Sequence, residues 1–125
     1  MRLALADIAG GAEALSEIDF HRLCRRYGLG TVVGQSIRLD GAGRRRYLDG
    51  EIVSPGGGRV SFEVDGAHHL ATESYWQDMS RGNELLIAGQ AQLRFPSIAC
   101  RLDPGKVADQ LQRALEASER RNATG

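Results

Sequence analysis

Four acidic residues stand at two-residue spacing in two short segments of the chain. Asp49 and Glu51 form one pair, and Glu63 and Asp65 form the other. In an extended strand, residues two apart point to the same side, so each pair presents two carboxylates to one face. Carboxylates gathered in this way can bind a hard divalent cation or act as general acids and bases. This chemistry requires the two segments to lie side by side.

The surrounding sequence predicts that the two segments form a β-hairpin. Residues 46–53 and 59–66 alternate apolar and polar side chains, and the Pro- and Gly-rich residues 54–58 separate them. If the turn centres on its middle glycine, residues whose numbers add to 112 lie opposite each other. Asp49 then faces Glu63 on a polar face. The opposite, apolar face comprises Leu48, Ile52, Val60, Phe62 and Val64.

Two carboxylates at directly opposed positions need a neutralising partner. Opposed Cβ atoms lie about 4.5–5.5 Å apart, and like charges at that distance are destabilising. An arginine, a raised carboxyl pKa or a divalent cation can remove the repulsion. With Asp65 on the same face, an oxygen-only site for Mg²⁺ is one interpretation. An exposed acidic face neutralised by arginine is the other.

Two histidines follow the second strand of the hairpin. Gly66 leads into Ala67, His68 and His69, and adjacent side chains of this kind do not point the same way. One imidazole can act as a metal ligand, a general base or a donor to phosphate, because imidazole titrates near pH ~6.5. A polar loop without a catalytic role is the alternative.

Further helices and strands are predicted on both sides of the hairpin from apolar periodicity and from Gly and Pro positions. They are a broken helix from Leu3 to Tyr27, a strand from Thr31 to Leu39, a helix from Thr72 to about Ala88, a strand from Gln90 to Phe95, and a helix after Asp103-Pro104-Gly105. The helix from Thr72 is predicted to bury five residues, namely Tyr75, Trp76, Met79, Leu85 and Leu86. The last helix is predicted to have an apolar stripe of Val107, Ala108, Leu111, Ala114 and Leu115. The residues from Ser118 onward are predicted to form a polar tail. One domain over residues 1–125 follows from this length.

Charge and composition exclude several classes of protein. Sixteen basic and sixteen acidic residues cancel, so net charge does not drive binding to polyanions. Residues 22–59 nevertheless hold eight arginines against three acidic residues, which indicates either a phosphate-facing patch or an arginine-rich solvated surface. Cys24 and Cys100 are too few for a disulfide framework and are expected to be buried free thiols. With no apolar run of ~20 residues and no signal peptide, we expect a cytoplasmic protein without a membrane partner.

Four strings of residues, in order along the chain, carry a resemblance to a known family. They are RYLD at 46–49, FEVDGAHHL at 62–70, WQDMSRGNEL at 76–85 and LRFP at 93–96. Together they resemble the domain of unknown function 559, especially its actinobacterial members. That family is similar to the very-short-patch-repair endonucleases of the restriction-endonuclease-like PD-(D/E)XK superfamily. The resemblance covers about residues 14–115.

The resemblance implies an α/β fold with a mixed sheet, namely a restriction-endonuclease-like αβββαβ core followed by a C-terminal helix. Asp49 matches the acidic residue of the PD element, and Glu63 matches that of the (D/E)XK element. Asp65 stands where the family usually has lysine. His69 matches the histidine after the EVDG segment, and Glu17 matches the acidic residue of the first helix. These five residues are the catalytic candidates.

The function that the resemblance implies is a DNA endonuclease that uses Mg²⁺, with Mn²⁺ as a substitute, and DNA repair is one of its contexts. Asp49, Glu63 and Asp65 are the expected metal ligands. The expected DNA contacts are Arg44, Arg45, Arg46, Arg81 and Arg94.

The missing lysine leaves two interpretations open. A second cation, His69 or Arg94 supplies its charge, or the fold has lost cleavage and remains a DNA-binding or regulatory module. A homodimer and a longer parent chain or neighbouring domain also stay open.

Overall fold

The computed structural model describes residues 17–39, 46–66, 72–89 and 92–124, and these form a mixed sheet with accompanying helices. In chain order the elements are α1 (residues 17–26), β1 (Thr31–Leu39), β2 (Arg46–Val53), β3 (Arg59–Asp65), α2 (Thr72–Leu86), β4 (Leu93–Pro96), α3 (Ser97–Leu102) and α4 (Pro104–Thr124). The predicted α+β class with a mixed sheet is therefore correct. The predicted helix before residue 17, the turn at 40–45 and the start of the last strand at 90–91 lie outside the described residues.

The sheet has the order β1-β2-β3-β4, and the predicted hairpin register is confirmed. The first three strands pair antiparallel, and β4 runs parallel to β3. Asp49 lies directly opposite Glu63, as the turn-centred numbering predicts. Because parallel neighbours cannot be joined by a tight turn, the chain crosses from β3 to β4 through α2.

The core forms on the even-numbered face of β2 and β3. All five residues predicted for the apolar face are buried: Leu48, Ile52, Val60, Phe62 and Val64. Helix α1 packs on this face through Phe20, whose ring centroid lies 4.4 Å from that of Phe62. Burying aromatic rings of this size removes a large apolar area from water, which makes this contact a main source of stability.

The short helix α3 was not predicted. Its six residues lie between Pro96 and Pro104, too short a segment for helical periodicity to be visible in the sequence. Ala99 and Cys100 are buried, so tertiary packing stabilises a helix that local propensity does not specify. Leu85, predicted among the buried positions of α2, is instead 86% exposed.

Helix α4 continues through the segment predicted as a polar tail. Its polar residues bind the hairpin turn: the Arg59 amide donates to Ser118 Oγ at 2.9 Å, and Asn122 Nδ2 donates to the Gly57 carbonyl at 3.1 Å. A Cβ atom on Gly58 would lie 2.4 Å from the Leu115 carbonyl, so only glycine permits this close approach. The described parts of the chain include no helix that is both long and apolar enough to cross a bilayer.

A buried amide covers the outer edge of β4. Asn83 Oδ1 accepts the Arg94 amide at 2.9 Å, and Asn83 Nδ2 donates to the Arg94 carbonyl at 2.8 Å. The same Nδ2 lies 2.9 Å from Gln110 Oε1, and Gln110 donates in turn to Ser80 on α2. Asn83 thus satisfies backbone groups of Arg94 that a neighbouring strand would otherwise bind, and it links β4 to α2 and α4.

We predict that Asn83→Ala destabilises the protein by about 2–3 kcal/mol, because it leaves buried polar groups of Arg94 and Gln110 without their partner. Urea unfolding followed by circular dichroism measures this change. Leu85→Ala on the same helix is the control and should change the free energy of unfolding by less than ~0.5 kcal/mol. Equal effects of the two substitutions would contradict this account of the β4 edge.

An ion pair joins α2 to α4 at the surface. Both guanidinium Nη atoms of Arg113 bind the Glu84 carboxylate, and this contact lowers the pKa of Glu84 to about 2. A carboxyl group whose pKa falls on folding stabilises the native state above its ordinary value near 4.5. That contribution disappears as pH falls toward 2.

We therefore predict that wild type is more stable than Glu84→Gln at pH 6 and that this difference shrinks steadily as pH falls from about 4.5 to about 2. Urea midpoints measured across that range test the prediction. A difference that is independent of pH would show that the Gln110 hydrogen bond to Glu84, rather than its charge, carries the effect.

Candidate functional site

The candidate site is the polar face of β2 and β3, where Asp49 and Glu63 are opposed. They are direct partners in the antiparallel register, in which opposed Cβ atoms generally lie about 4.5–5.5 Å apart. Asp65 follows two residues along the same face. Glu63 and Asp65 are buried and Asp49 is half-buried, so the two carboxylates of β3 differ from the exposed acidic face considered from sequence.

Arg94 neutralises one member of the acidic pair. The parallel register sets Arg94 of β4 beside Glu63, and its Nε donates to Glu63 Oε2 at 2.9 Å. The Glu63 side chain is 8% exposed, whereas the Arg94 side chain is 51% exposed. The arginine therefore compensates a buried carboxylate while keeping about half of its own side chain open to an incoming ligand.

The other two carboxylates accept hydroxyl hydrogen bonds. Tyr75 of α2 donates to Asp65 Oδ2 at 2.6 Å, and Ser36 of β1 donates to Asp49 Oδ1 at 2.6 Å. Hydrogen bonds to a charged acceptor are short and hold the acceptor in one orientation. Asp65 is 1% exposed, which fits a residue that supports the site better than a directly coordinating ligand.

The described residues contain no group of three or more His, Cys, Asp or Glu side chains arranged to hold a metal ion. Mg²⁺ commonly binds through one or two carboxylates, completing its shell with water and substrate phosphate. The donor set of Asp49 and Glu63 fits that mode, whereas a cage made entirely of protein ligands does not. The three-ligand metal site stays a prediction.

The other site candidates lie on helices, at the start of β2 or outside the described residues. Glu17 is half-buried on α1, the helix that packs against the opposite, even-numbered face of the sheet. Arg81 is exposed on α2 and pairs with Asp78 at 2.7 Å. The predicted residues that lie outside the described chain are His68, His69, Arg44 and Arg45, and of Arg46 only the backbone at the start of β2 is described.

Two contacts of the site were missed in the sequence. The register of β1 shifts between Val33 and Ser36, with Gly34 in a left-handed conformation, and this irregularity brings Ser36 opposite Asp49. Tyr75 was identified only as a buried position of α2. An isolated glycine within a strand is the available sequence indication of the bulge. The Tyr75 contact has no comparable indication.

Both cysteines are buried and free, as predicted. Burial raises the pKa of Cys24 and that of Cys100 to about 12, so each remains a protonated thiol at neutral pH. Neither has the thiolate that nucleophilic catalysis needs. The polar face of the sheet is thus a better candidate for chemistry than the thiols.

Comparisons with protein families, with curated proteins and with solved structures found no match to this chain. The resemblance to the endonuclease family therefore remains an expectation from the sequence motifs.

We predict that Arg94→Ala lowers the free energy of unfolding by about 1–2 kcal/mol, because Glu63 then loses its compensating charge; the half-exposed arginine reduces the cost below that of a fully buried pair. In a Glu63→Gln background, Arg94→Ala should lower the free energy of unfolding by less than ~0.5 kcal/mol. Urea unfolding of the four proteins in this double-mutant cycle measures the coupling. Equal costs in both backgrounds would mean that Arg94 stabilises the sheet by packing alone.

Proposed function

We propose that this chain is a divalent-metal-dependent DNA endonuclease domain with a restriction-endonuclease-like core. The observation that supports the proposal most directly is the pairing of Asp49 with Glu63 across β2 and β3. These are the two residues at which the family motifs carry their acidic side chains. The hairpin register and the family resemblance therefore identify the same pair independently.

In this proposal Asp49 and Glu63 would hold one Mg²⁺, for which Mn²⁺ would be a substitute. When bound, the cation would polarise the scissile phosphodiester and lower the pKa of an attacking water. The Ser36 hydroxyl holds the Asp49 carboxylate in place. Asp65, which accepts a hydrogen bond from Tyr75, would orient the neighbouring ligands. His69 would accept the proton from the water.

Arg94 takes the role of the missing lysine in the proposed mechanism. Its guanidinium lies on Glu63, so the positive charge is already positioned beside the acidic pair. An N–H group of the exposed part of the side chain would donate to the phosphate oxygens, where negative charge increases in the transition state. Arginine keeps its charge at any working pH, and its planar donors match phosphate geometry.

One observation favours a second candidate, a DNA-binding or regulatory module without cleavage. The Glu63–Arg94 ion pair already neutralises the buried carboxylate, so the fold is electrostatically satisfied without a cation. In such a module the guanidinium of Arg94, together with Arg81 and the arginines at 44–46, would contact DNA without a reaction. The candidates differ in whether activity requires Asp49.

We predict that the purified protein nicks supercoiled plasmid in Mg²⁺ or Mn²⁺ and not in EDTA, and that Asp49→Asn lowers the rate at least ~100-fold because a metal ligand is lost. Gel densitometry over time measures the rate. Asp109→Asn, which neutralises an exposed carboxylate on α4, is the matched control and should leave the rate unchanged.

The same experiment separates the two candidates. Plasmid binding without nicking, with an affinity that falls steeply with salt and is the same in Asp49→Asn, identifies the binding module. Nicking that persists equally in Asp49→Asn and in EDTA would show a contaminating nuclease and would refute the endonuclease.

A further inference from the structure

A cavity of about 290 Å³ lies at the start of β3, between the hairpin and the C-terminal parts of α2 and α4. Its strand side is formed by Glu51, Arg59, Val60 and Ser61, and its helix side includes Leu86 of α2 with Arg121 and Asn122 of α4. The cavity exists because α4 continues past residue 118 and lies against the hairpin turn.

Two guanidinium groups reach this cavity from opposite sides. Arg59 Nη1 lies 3.3 Å from Glu51 Oε1, and Arg121 Nη1 donates to the Ala88 carbonyl at 2.7 Å. Among the described residues these are the side-chain contacts of the two arginines, and each guanidinium carries five N–H donors. Two positive charges against the one carboxylate of Glu51 leave the cavity with a net charge of +1. Such a site favours an anion with several acceptor oxygens.

The cavity is adjacent to the proposed catalytic pair along the strands. Glu51 and Ser61 are opposed in the hairpin immediately after Asp49 and Glu63, and odd-numbered residues share one face. Two residues of a strand span about 6.6–6.8 Å. An extended polyanion that crosses the acidic pair along the hairpin therefore reaches the arginines with its next charged groups.

We propose that this cavity binds a backbone phosphate of the nucleic-acid strand whose neighbouring phosphodiester lies at Asp49 and Glu63. This inference rests on the proposed endonuclease function and adds a position-specific contact to it. Arg59 and Arg121 hold the phosphate from the strand side and the helix side. Glu51 opposes binding, because its carboxylate lies beside the guanidinium that the phosphate engages.

Binding of a short fluorescein-labelled single-stranded DNA in EDTA, followed by fluorescence anisotropy, tests the cavity without cleavage. We expect Arg59→Ala and Arg121→Ala each to weaken binding about tenfold and to reduce the slope of log affinity against log salt by about 0.7, the change for one lost phosphate contact on a single strand. Glu51→Gln should tighten binding about threefold or more by removing the opposing charge. Arg120→Ala, which removes the same charge one residue from Arg121 on α4, is the matched control and should leave the slope within ~0.2 of wild type.

The outcomes are distinguishable. If Arg120→Ala and Arg121→Ala changed DNA affinity and salt dependence equally, the proposed phosphate site would be wrong, because the net charge of α4 rather than the cavity would determine binding. Thermal stabilisation by inorganic phosphate that depends on Arg59 and Arg121, with unchanged DNA binding, would assign the cavity to free phosphate and also overturn the inference. If the protein nicks plasmid but binds DNA equally well without Arg59 or Arg121, the proposed phosphate site is wrong and the endonuclease proposal stands. If DNA binding depends on Arg59 and Arg121 but no nicking occurs, the endonuclease proposal is wrong and the phosphate site stands. Circular dichroism and thermal unfolding confirm that each variant is folded.

Discussion

The opposition of Asp49 and Glu63 across β2 and β3 is the constraint on which the polar side of this protein depends. Two like charges at paired positions are unfavourable unless a cation joins them. Glu63 is also buried, so its charge needs a close partner rather than water. The partner is Arg94, and the position of β4 in the sheet brings it there. The strand order therefore also determines how the charge of Glu63 is neutralised.

Helices α2 and α4 complete this arrangement by holding β4 in position. Asn83 of α2 binds both backbone polar groups of Arg94, and Gln110 of α4 binds Asn83. The same residue of β4 is thus held through its backbone on one side and through its side chain on the other. A guanidinium that is positioned by this buried network loses less conformational entropy when it meets phosphate. Arg94 therefore belongs both to the buried hydrogen-bond network, through its backbone, and to the proposed site, through its side chain.

Much of the fold could be predicted from local patterns. The alternation in 46–53 and 59–66, with one glycine-rich turn, determines which side chains face each other, so the acidic pair was located correctly. The apolar positions of α4 were also correct. The six-residue α3 was missed because its helical state depends on burial of Ala99 and Cys100. The end of α4 was missed because its polar residues are stabilised by the hairpin turn, which is distant in sequence.

The sequence by itself determined the hairpin, its register and the two faces of its strands, because alternation and turn position act between residues close in the chain. The tertiary structure decided which cation meets Glu63, which hydroxyl groups hold Asp49 and Asp65, and where α4 encloses a cavity. These contacts join residues that are between 10 and 65 positions apart. Their formation depends on the crossover through α2, on the bulge in β1 and on helix packing, and no local pattern encodes the combined geometry of those elements.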